Sequence, residues 1–390
     1  MRRSILKLHL LLSLFLGIFI VSICTTGSLL VVQADIEKLI YPQLYHATPG
    51  NTPIHTIRQN AEQAYPGFKA DRLDMPGEDG LYHVRVTKEI DGKASTHTVY
   101  VNPGNGDVLG LAGPERNLFF TKVLQLHRYL LVGDLLGKPK ASIIAGCMGL
   151  GLILILLTGA YLWWPGLKKF ASGLRMIRNK GKLIINQGMH KIVGIITIPF
   201  LLVFAVSGTA FQLDKYIFGW FGVSTRVEVP SSWSKTKTSQ SELLSLEKIV
   251  QNAQEEFPTA QLMRIQFPLK PDQTYQLVMK EGYSPTGLGN ITVYEDPYTG
   301  QILGHTNPFA GMNLYTAWRR GLHFATWGGE PVKYLSFIIG MMPLFLMITG
   351  LTIWQLKARA RRKKKKSAGS KPLPAPVPVP VPAPSLNTSE

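Results

Sequence analysis

The chain has 390 residues, 45% of them hydrophobic, and 42 Lys and Arg against 24 Asp and Glu leave a formal charge of +18. The hydrophobicity is concentrated in four long apolar runs separated by polar segments, which excludes an ordinary soluble enzyme. Cys24 and Cys147 are the only cysteines, and both lie in apolar runs, which excludes a disulfide scaffold.

A membrane-spanning helix needs about 20 mostly apolar residues. Leu8–Val32, Ala141–Trp164, Ile192–Leu213 and Tyr334–Trp354 satisfy this. Val32-Gln33-Ala34 has the form of a signal-peptide cleavage site. The first run is about twice the length of a signal-peptide core, so it is expected to be retained as a membrane helix. Orientation follows from short basic flanks. Arg2, Arg3 and Lys7 precede the first run; Lys168, Lys169, Arg175, Arg178, Lys180 and Lys182 lie between the second and third; Lys357, Arg359, Arg361, Arg362 and Lys363–Lys366 follow the fourth. These flanks account for nearly the whole net charge, so the basic balance reports topology and not nucleic-acid binding. Both termini are expected to be cytoplasmic.

In chain order the expected organisation is a membrane helix (1–34), an outer module (35–117), an interfacial helix with membrane helix two (118–165) and a basic cytoplasmic linker (166–189). Then follow membrane helix three (190–213), a second outer module (214–312), a second interfacial helix with membrane helix four (313–356), and a basic, Pro-rich cytoplasmic tail (357–390). The fold class is thus a mainly α membrane protein, a four-helix bundle carrying two periplasmic α+β modules.

The chain also reads as a duplication. Asn102-Pro103-Gly104-Asn105-Gly106-Asp107-Val108-Leu109-Gly110 aligns with Asp296-Pro297-Tyr298-Thr299-Gly300-Gln301-Ile302-Leu303-Gly304, each after Thr-Val-Tyr. Each segment reads as a hairpin. Helix-like segments lie upstream at Ile54–Tyr65 and Ser245–Phe257. Every apolar run carries one Ser/Thr-Gly pair, namely Thr26-Gly27, Thr158-Gly159, Ser207-Gly208 and Thr349-Gly350, and an acid (Asp35, Asp214) follows the exits of runs one and three. Close helix packing accounts for such glycines.

Four of the nine histidines fall at matched depths. His9 and His190 open runs one and three at the cytoplasmic level. At 1.5 Å per residue they lie about 39 and about 36 Å before Asp35 and Asp214. His127 and His323 each follow a Leu and belong on short helices that lead into runs two and four. Two imidazoles per face suit one metal or haem on each side of a bundle. The simplest pairing is His9 with His190 and His127 with His323. No Cys-x-x-Cys-His motif occurs, so the expectation is two non-covalent haems of b type. Arg128, Arg319 and Arg320 flank the outer histidines, while Arg3 and Lys191 flank the inner ones, where cations suit haem propionates. No flavin or nicotinamide domain is visible, so an electron donor must come from elsewhere.

These residues resemble the PepSY-associated transmembrane helix family. Leu8-His9 with Thr26-Gly27, Leu126-His127-Arg128 with Leu157–Pro165, and Leu322-His323 with Ile348-Thr349-Gly350 carry the likeness, and the two hairpins look like PepSY modules. The resemblance implies an iron-regulated protein of the bacterial inner membrane, related to di-haem reductases that release iron from ferric siderophores in the periplasm. It carries the haem-ligand role onto His9, His127, His190 and His323. It names no catalytic residue. One departure is Tyr129, where relatives often have Trp.

The leading expectation is therefore a membrane oxidoreductase that reduces a periplasmic ferric complex. A different class also fits PepSY modules, a non-enzymatic regulator of a periplasmic protease or envelope partner. A transporter fits less well, because no ionisable residue lies near the centre of the four runs.

Overall fold

The computed structural model describes residues 1–90, 92–112, 117–177, 181–225, 227–236 and 242–369. Arg178 and Lys180 of the basic linker, and the Pro-rich tail, lie outside the described residues. In chain order the elements are α1 (Arg2–Val31), α2 (Gln33–Ile40), α3 (Ile54–Ala64), β1 (Lys69–Asp74), β2 (Tyr82–Ile90), β3 (Lys93–Val101) and β4 (Val108–Leu111). Next come α4 (Leu118–Tyr129), the single turn α5 (Gly133–Leu136), α6 (Lys138–Trp163), the single turn α7 (Phe170–Gly173) and α8 (Lys182–Trp220). The chain finishes with α9 (Leu246–Glu256), β5 (Gln261–Gln266), β6 (Tyr275–Lys280), β7 (Ile291–Glu295), β8 (Ile302–His305), α10 (Gly311–Phe324) and α11 (Gly329–Gly369).

Four helices are long and apolar enough to cross a membrane: α1, α6, α8 and α11 over Gly329–Arg362. They close into a ring, with α6 on α8, α8 on α11, α11 on α1 and α1 on α6. Ile20, Leu152, Leu156, Leu201, Ala205 and Ile339 fill its centre, while most of each apolar stretch faces outward. All four helices start before the apolar runs that reveal them. α8 begins at Lys182, so residues 182–189 are helix and not linker, and it continues to Trp220. Lys, Leu, Gln and Met are good helix formers, and Gly181 is the first breaker upstream. An apolar run measures hydrocarbon thickness, not helix length.

The sheet departs from expectation. Two separate small modules are replaced by one antiparallel sheet in the order β4-β3-β2-β1-β5-β6-β7-β8. It makes the molecule mixed α+β. The join is β1 on β5, where Leu73 pairs with Ile265, Arg72 with Gln266 and Asp74 with Arg264. Either strand alone would be an open edge with unpaired N–H and C=O groups. Leu73 and Ile265 are fully buried in a single core that also holds Val84, Val99, Leu277 and Val293. Helices α3 and α9 cover that core side by side. His55 and Glu247 meet across them at 2.5 Å, and the Arg58 guanidinium lies 4.6 Å over the Phe267 ring.

The expected hairpins are β3–β4 and β7–β8. Asn102 Oδ1 accepts from Gly104 N–H, and Asp296 Oδ1 accepts from Tyr298 and Thr299 N–H. Gly106 and Gly300 then take φ of 74° and 69°, a left-handed conformation that favours glycine. Two ion pairs join helices at the sheet end of the bundle, α2 to α11 and α8 to α10. Asp35 takes Lys333 at 2.9 Å, and Asp214 takes Arg319. The β6–β7 loop lies on α10: Thr326 Oγ1 donates to Pro285 O at 2.8 Å, and Tyr283 OH donates to Trp327 O at 2.8 Å.

One carboxyl is out of place in this core. Glu295, fully buried, accepts from Asn252 Nδ2 at 2.8 Å through one oxygen, while the other has no partner. Val101 stands at the corresponding place before the first hairpin turn. Burial pushes the Glu295 carboxyl up to about 7, so the fold favours its protonated form. Its cost to stability is therefore absent well below pH 4.5, grows as pH rises, and is complete above about pH 7. Glu295→Gln should raise the melting midpoint at pH 8 by about 3 °C and leave it nearly unchanged at pH 5. Thermal denaturation at the two pH values checks this, and an equal shift at both would refute it.

Candidate functional site

The four matched histidines come from four elements and gather at the two ends of the bundle. His9 lies two turns inside α1 and His190 two turns inside α8. His127 and His323 lie in the last turns of α4 and α10. His127 and His323 face each other with ring centroids 6.0 Å apart and planes inclined by 37°. His9 and His190 lie at the opposite end of the bundle, against Gly159 of α6 and Gly350 of α11.

Each ring rests on the Ser/Thr-Gly pair of another helix. A Cβ on Gly159 would stand 3.3 Å from His9 Cε1, and one on Gly350 3.4 Å from His190 Cε1. A Cβ on Gly27 would come within 2.8 Å of His127 Cε1, and one on Gly208 within 2.9 Å of His323 Cε1. His9 and Gly27, both in α1, are therefore not partners. The 18 residues span about 27 Å along one helix, and each glycine receives the ring from a different element.

The hydrogen bonds at Nδ1 are alike in all four rings. His9 Nδ1 lies 2.9 Å from Thr158 Oγ1, and that hydroxyl donates to Leu154 O at 2.8 Å. His190 Nδ1 lies 3.0 Å from Thr349 Oγ1, which donates to Phe345 O at 3.1 Å. Ser207 Oγ donates to Val203 O at 2.7 Å and lies 3.2 Å from His323 Nδ1. With each hydroxyl proton on its helix carbonyl, the hydroxyl accepts and Nδ1–H donates in all three cases. His127 Nδ1 faces the Ile23 carbonyl at 2.9 Å, which can only accept. All four rings thus carry their proton on Nδ1 and leave the Nε2 lone pair available, the arrangement of a metal-ligating imidazole.

Among the described residues no group of three or more His, Cys, Asp or Glu could share a metal ion. A bare ion needs more ligands than two imidazoles provide. A haem brings its own equatorial nitrogens and asks the protein for axial ligands only. Metal–imidazole bonds of about 2 Å on opposite sides of one ion put ring centroids roughly 6 Å apart, which suits His127 and His323. His127 and His323 therefore fit the group.

The flanking cations differ in their partners. Arg319 is held by Asp214 and lies 4.4 Å over the Phe211 ring. Arg320 lies 5.7 Å over Phe324, and Arg128 lies 5.2 Å over Tyr129. Arg3 and Lys191 are exposed. Sequence reasoning missed Arg2, which donates to Leu162 O at 2.8 Å and ties the start of α1 to the end of α6. It also found the four Ser/Thr-Gly pairs without their role as seats for the histidines. Trp318 and Trp327 meet Tyr283 of the β6–β7 loop.

A family profile, the PepSY-associated TM region, matches residues 6–357. The chain belongs to this family. That match spans all four apolar helices and the whole sheet, and it identifies a membrane protein. No individual curated protein matches the chain.

The seats can be tested by volume alone. In this PepSY-associated protein, Gly27→Val and Gly208→Val should each cost about 1–3 kcal/mol, the usual penalty for overpacking. Gly77→Val, where an added Cβ meets nothing within 4 Å, is the control on space. Thermal melting in detergent reads the difference, and equal losses at Gly77 and Gly208 would refute the close approach.

Proposed function

We propose that this protein is a haem-containing oxidoreductase of the bacterial inner membrane that passes electrons from a cytoplasmic donor to a periplasmic ferric complex, a ferric siderophore. In this reading the chain is internally duplicated, both termini are cytoplasmic, and the sheet stands in the periplasm. The basic flanks support that orientation. His9 and His190 hold one haem b at the cytoplasmic end, and His127 and His323 hold a second at the sheet end. Haem supplies one-electron redox chemistry when bound.

The observation that carries the reading is the shared state of the four imidazoles. Each has Nδ1–H committed to an acceptor and Nε2 unused. Ordinary helix-anchoring histidines have no reason to agree in tautomer and seat at both ends of a bundle. Arg320 and Arg128 have no carboxylate partner in the hydrogen bonds and ion pairs above and are the better candidates for propionates; Arg319 is already neutralised by Asp214. One electron per ferric ion gives Fe(II), whose lower charge weakens its hold on oxygen-rich ligands.

Absorption spectra of the detergent-purified protein, oxidised and dithionite-reduced, with a pyridine haemochrome assay, test the proposal. The expected result is a b-type spectrum with two haems per chain. His9→Ala and His323→Ala should each remove one haem and leave the other. Thr349→Val should keep the fold but weaken haem retention at the His190 end by about 10–100-fold, as loss of an outer-shell partner does. A colourless protein from haem-replete cells would overturn the reading and favour a non-enzymatic PepSY protein that binds a periplasmic protease or envelope partner.

A further inference from the structure

The end of the bundle away from the sheet carries cations without counter-charges. Residues 1–34, 135–213 and 331–389 contain no Asp or Glu, so the segments that build this end hold no carboxylate. Arg2, Arg3 and Lys7 on the first turns of α1 are exposed. So are Lys168, Lys169 and Arg175 between α6 and α8, and Lys182 at the start of α8. At the sheet end the charges are matched instead: Lys333 meets Asp35, Arg319 meets Asp214 and Arg264 meets Asp74.

This collar is built close to the His9 and His190 end. Arg2 donates to Leu162 O, three residues past the Gly159 seat of His9, about 4.5 Å along α6. Trp163 Nε1 donates to Gly173 O at 3.3 Å and folds the 164–177 segment back against the end of α6. Leu167, 81% exposed, and Phe170 lie among the cations of that segment. An apolar centre with a charged rim is the anatomy of a protein docking site.

Basic residues at a membrane edge set topology and meet lipid phosphates. α11 carries its cations beyond that layer. Headgroups add about 5–8 Å to each side of the hydrocarbon core. Arg361 and Arg362 lie seven and eight residues past Trp354, about 11–12 Å along the axis, and the helix runs on to Gly369, about 22 Å past it. Lys357, Arg359, Arg361 and Arg362 are all exposed. Lys357 with Arg361, four apart, and Arg359 with Arg362, three apart, are helix neighbours of like charge and repel. Lipid phosphates do not reach this height to relieve them, whereas an acidic protein surface does.

We propose, resting on the function proposed above, that this collar docks the electron donor, a soluble one-electron carrier with an acidic face, of flavin or iron–sulfur type. Each encounter oxidises the donor by one electron, which passes to the His9 and His190 end, and no bond is made or broken. Opposite charges speed the encounter and orient it. A donor dissolved in the bilayer, such as a quinol, gains nothing from cations that stand above the headgroups.

The full-length protein in phosphatidylcholine nanodiscs, titrated with an acidic flavodoxin, tests this. The same flavodoxin with its surface carboxylates amidated is the comparison. The acidic probe should bind, and the amidated one at least about tenfold more weakly. Binding should weaken as salt rises from about 0.01 M to about 0.15 M, where the Debye length falls from about 30 Å to about 8 Å. Arg359→Glu with Arg361→Glu should weaken the acidic probe by about tenfold, and Lys168→Gln with Lys169→Gln by about threefold, with thermal melting to confirm each fold. Lys235→Glu with Lys270→Glu, exposed at the sheet end, should leave binding unchanged. Stopped-flow reduction by photoreduced flavodoxin should slow in the same two collar variants. No binding, equal binding of the amidated probe, or an equal loss in the sheet-end variant overturns the proposal. Binding that vanishes when phosphatidylglycerol is added to the nanodisc assigns the collar to lipid and also overturns it. All of these leave the haem assignment standing, because the binding titration needs no haem. A colourless protein that still binds by charge keeps the docking site and refutes the donor role together with the reductase.

Discussion

The close approach of four imidazole rings to four glycine backbones is the constraint on which the rest of this molecule depends. A side chain on any of these glycines would meet a ring carbon at 2.8–3.4 Å. Those distances leave little or no room even for a methyl group. The rings therefore dictate how near α4 can lie to α1, α10 to α8, α1 to α6, and α8 to α11. At three of those seats the hydroxyl beside the glycine also meets the ring, and its bond to its own helix leaves it to accept there. Packing and protonation are thus set by the same two residues. A single substitution at the glycine perturbs position, and one at the hydroxyl perturbs the tautomer, so the two effects can be told apart.

The sheet reinforces this arrangement from one end only. Its β1–β5 join converts two open edges into one continuous ladder with a shared core. The β6–β7 loop then lies on α10, where a Cβ on Gly321 would stand 2.4 Å from Pro285 O. Asp214 draws Arg319 of the same helix onto α8. α10 is held from both sides one turn from His323. The His9 and His190 pair needs no such help, because both residues lie within the long helices of the ring itself.

Much of this was legible in the sequence for definite reasons. Apolar runs of membrane length have few alternative structures in water or lipid, so the four crossings followed from composition. The hairpins followed from Asn102 and Asp296, whose side chains make local turns with glycine four residues on. The ring contact between His127 and His323 joins two residues whose matched places before their apolar runs were visible in the sequence. Two things were not legible. The fusion of the sheet depends on Leu73 meeting Ile265, a contact between residues 192 positions apart that no local pattern encodes. The destination of each histidine was hidden too. His9 and Gly27 share one helix but lie at opposite ends of the bundle, and each glycine receives its ring from another element.

The two ends also differ in how the backbone reaches them. Among the described residues the only non-glycine positions with left-handed φ are Leu130 at 51°, Leu131 at 61° and Ala325 at 59°. All three directly follow the histidine helices α4 and α10. A left-handed C-cap usually belongs to glycine, and a side chain there costs about 1 kcal/mol or more. At these turns the chain must stop a short helix that lies on the bundle and turn back into a membrane-spanning one within a few residues. Glycine would ease the turn but loosen it, since it loses the most conformational freedom on folding. Ala325 is instead fully buried, and its turn is held by Thr326 N–H on Gly321 O at 3.0 Å and Thr326 Oγ1 on Pro285 O. Strain of this kind persists only where surrounding contacts over-determine the backbone. It lies beside the pair of imidazoles that short helices alone must hold in register, and the long-helix pair at the other end has no counterpart to it.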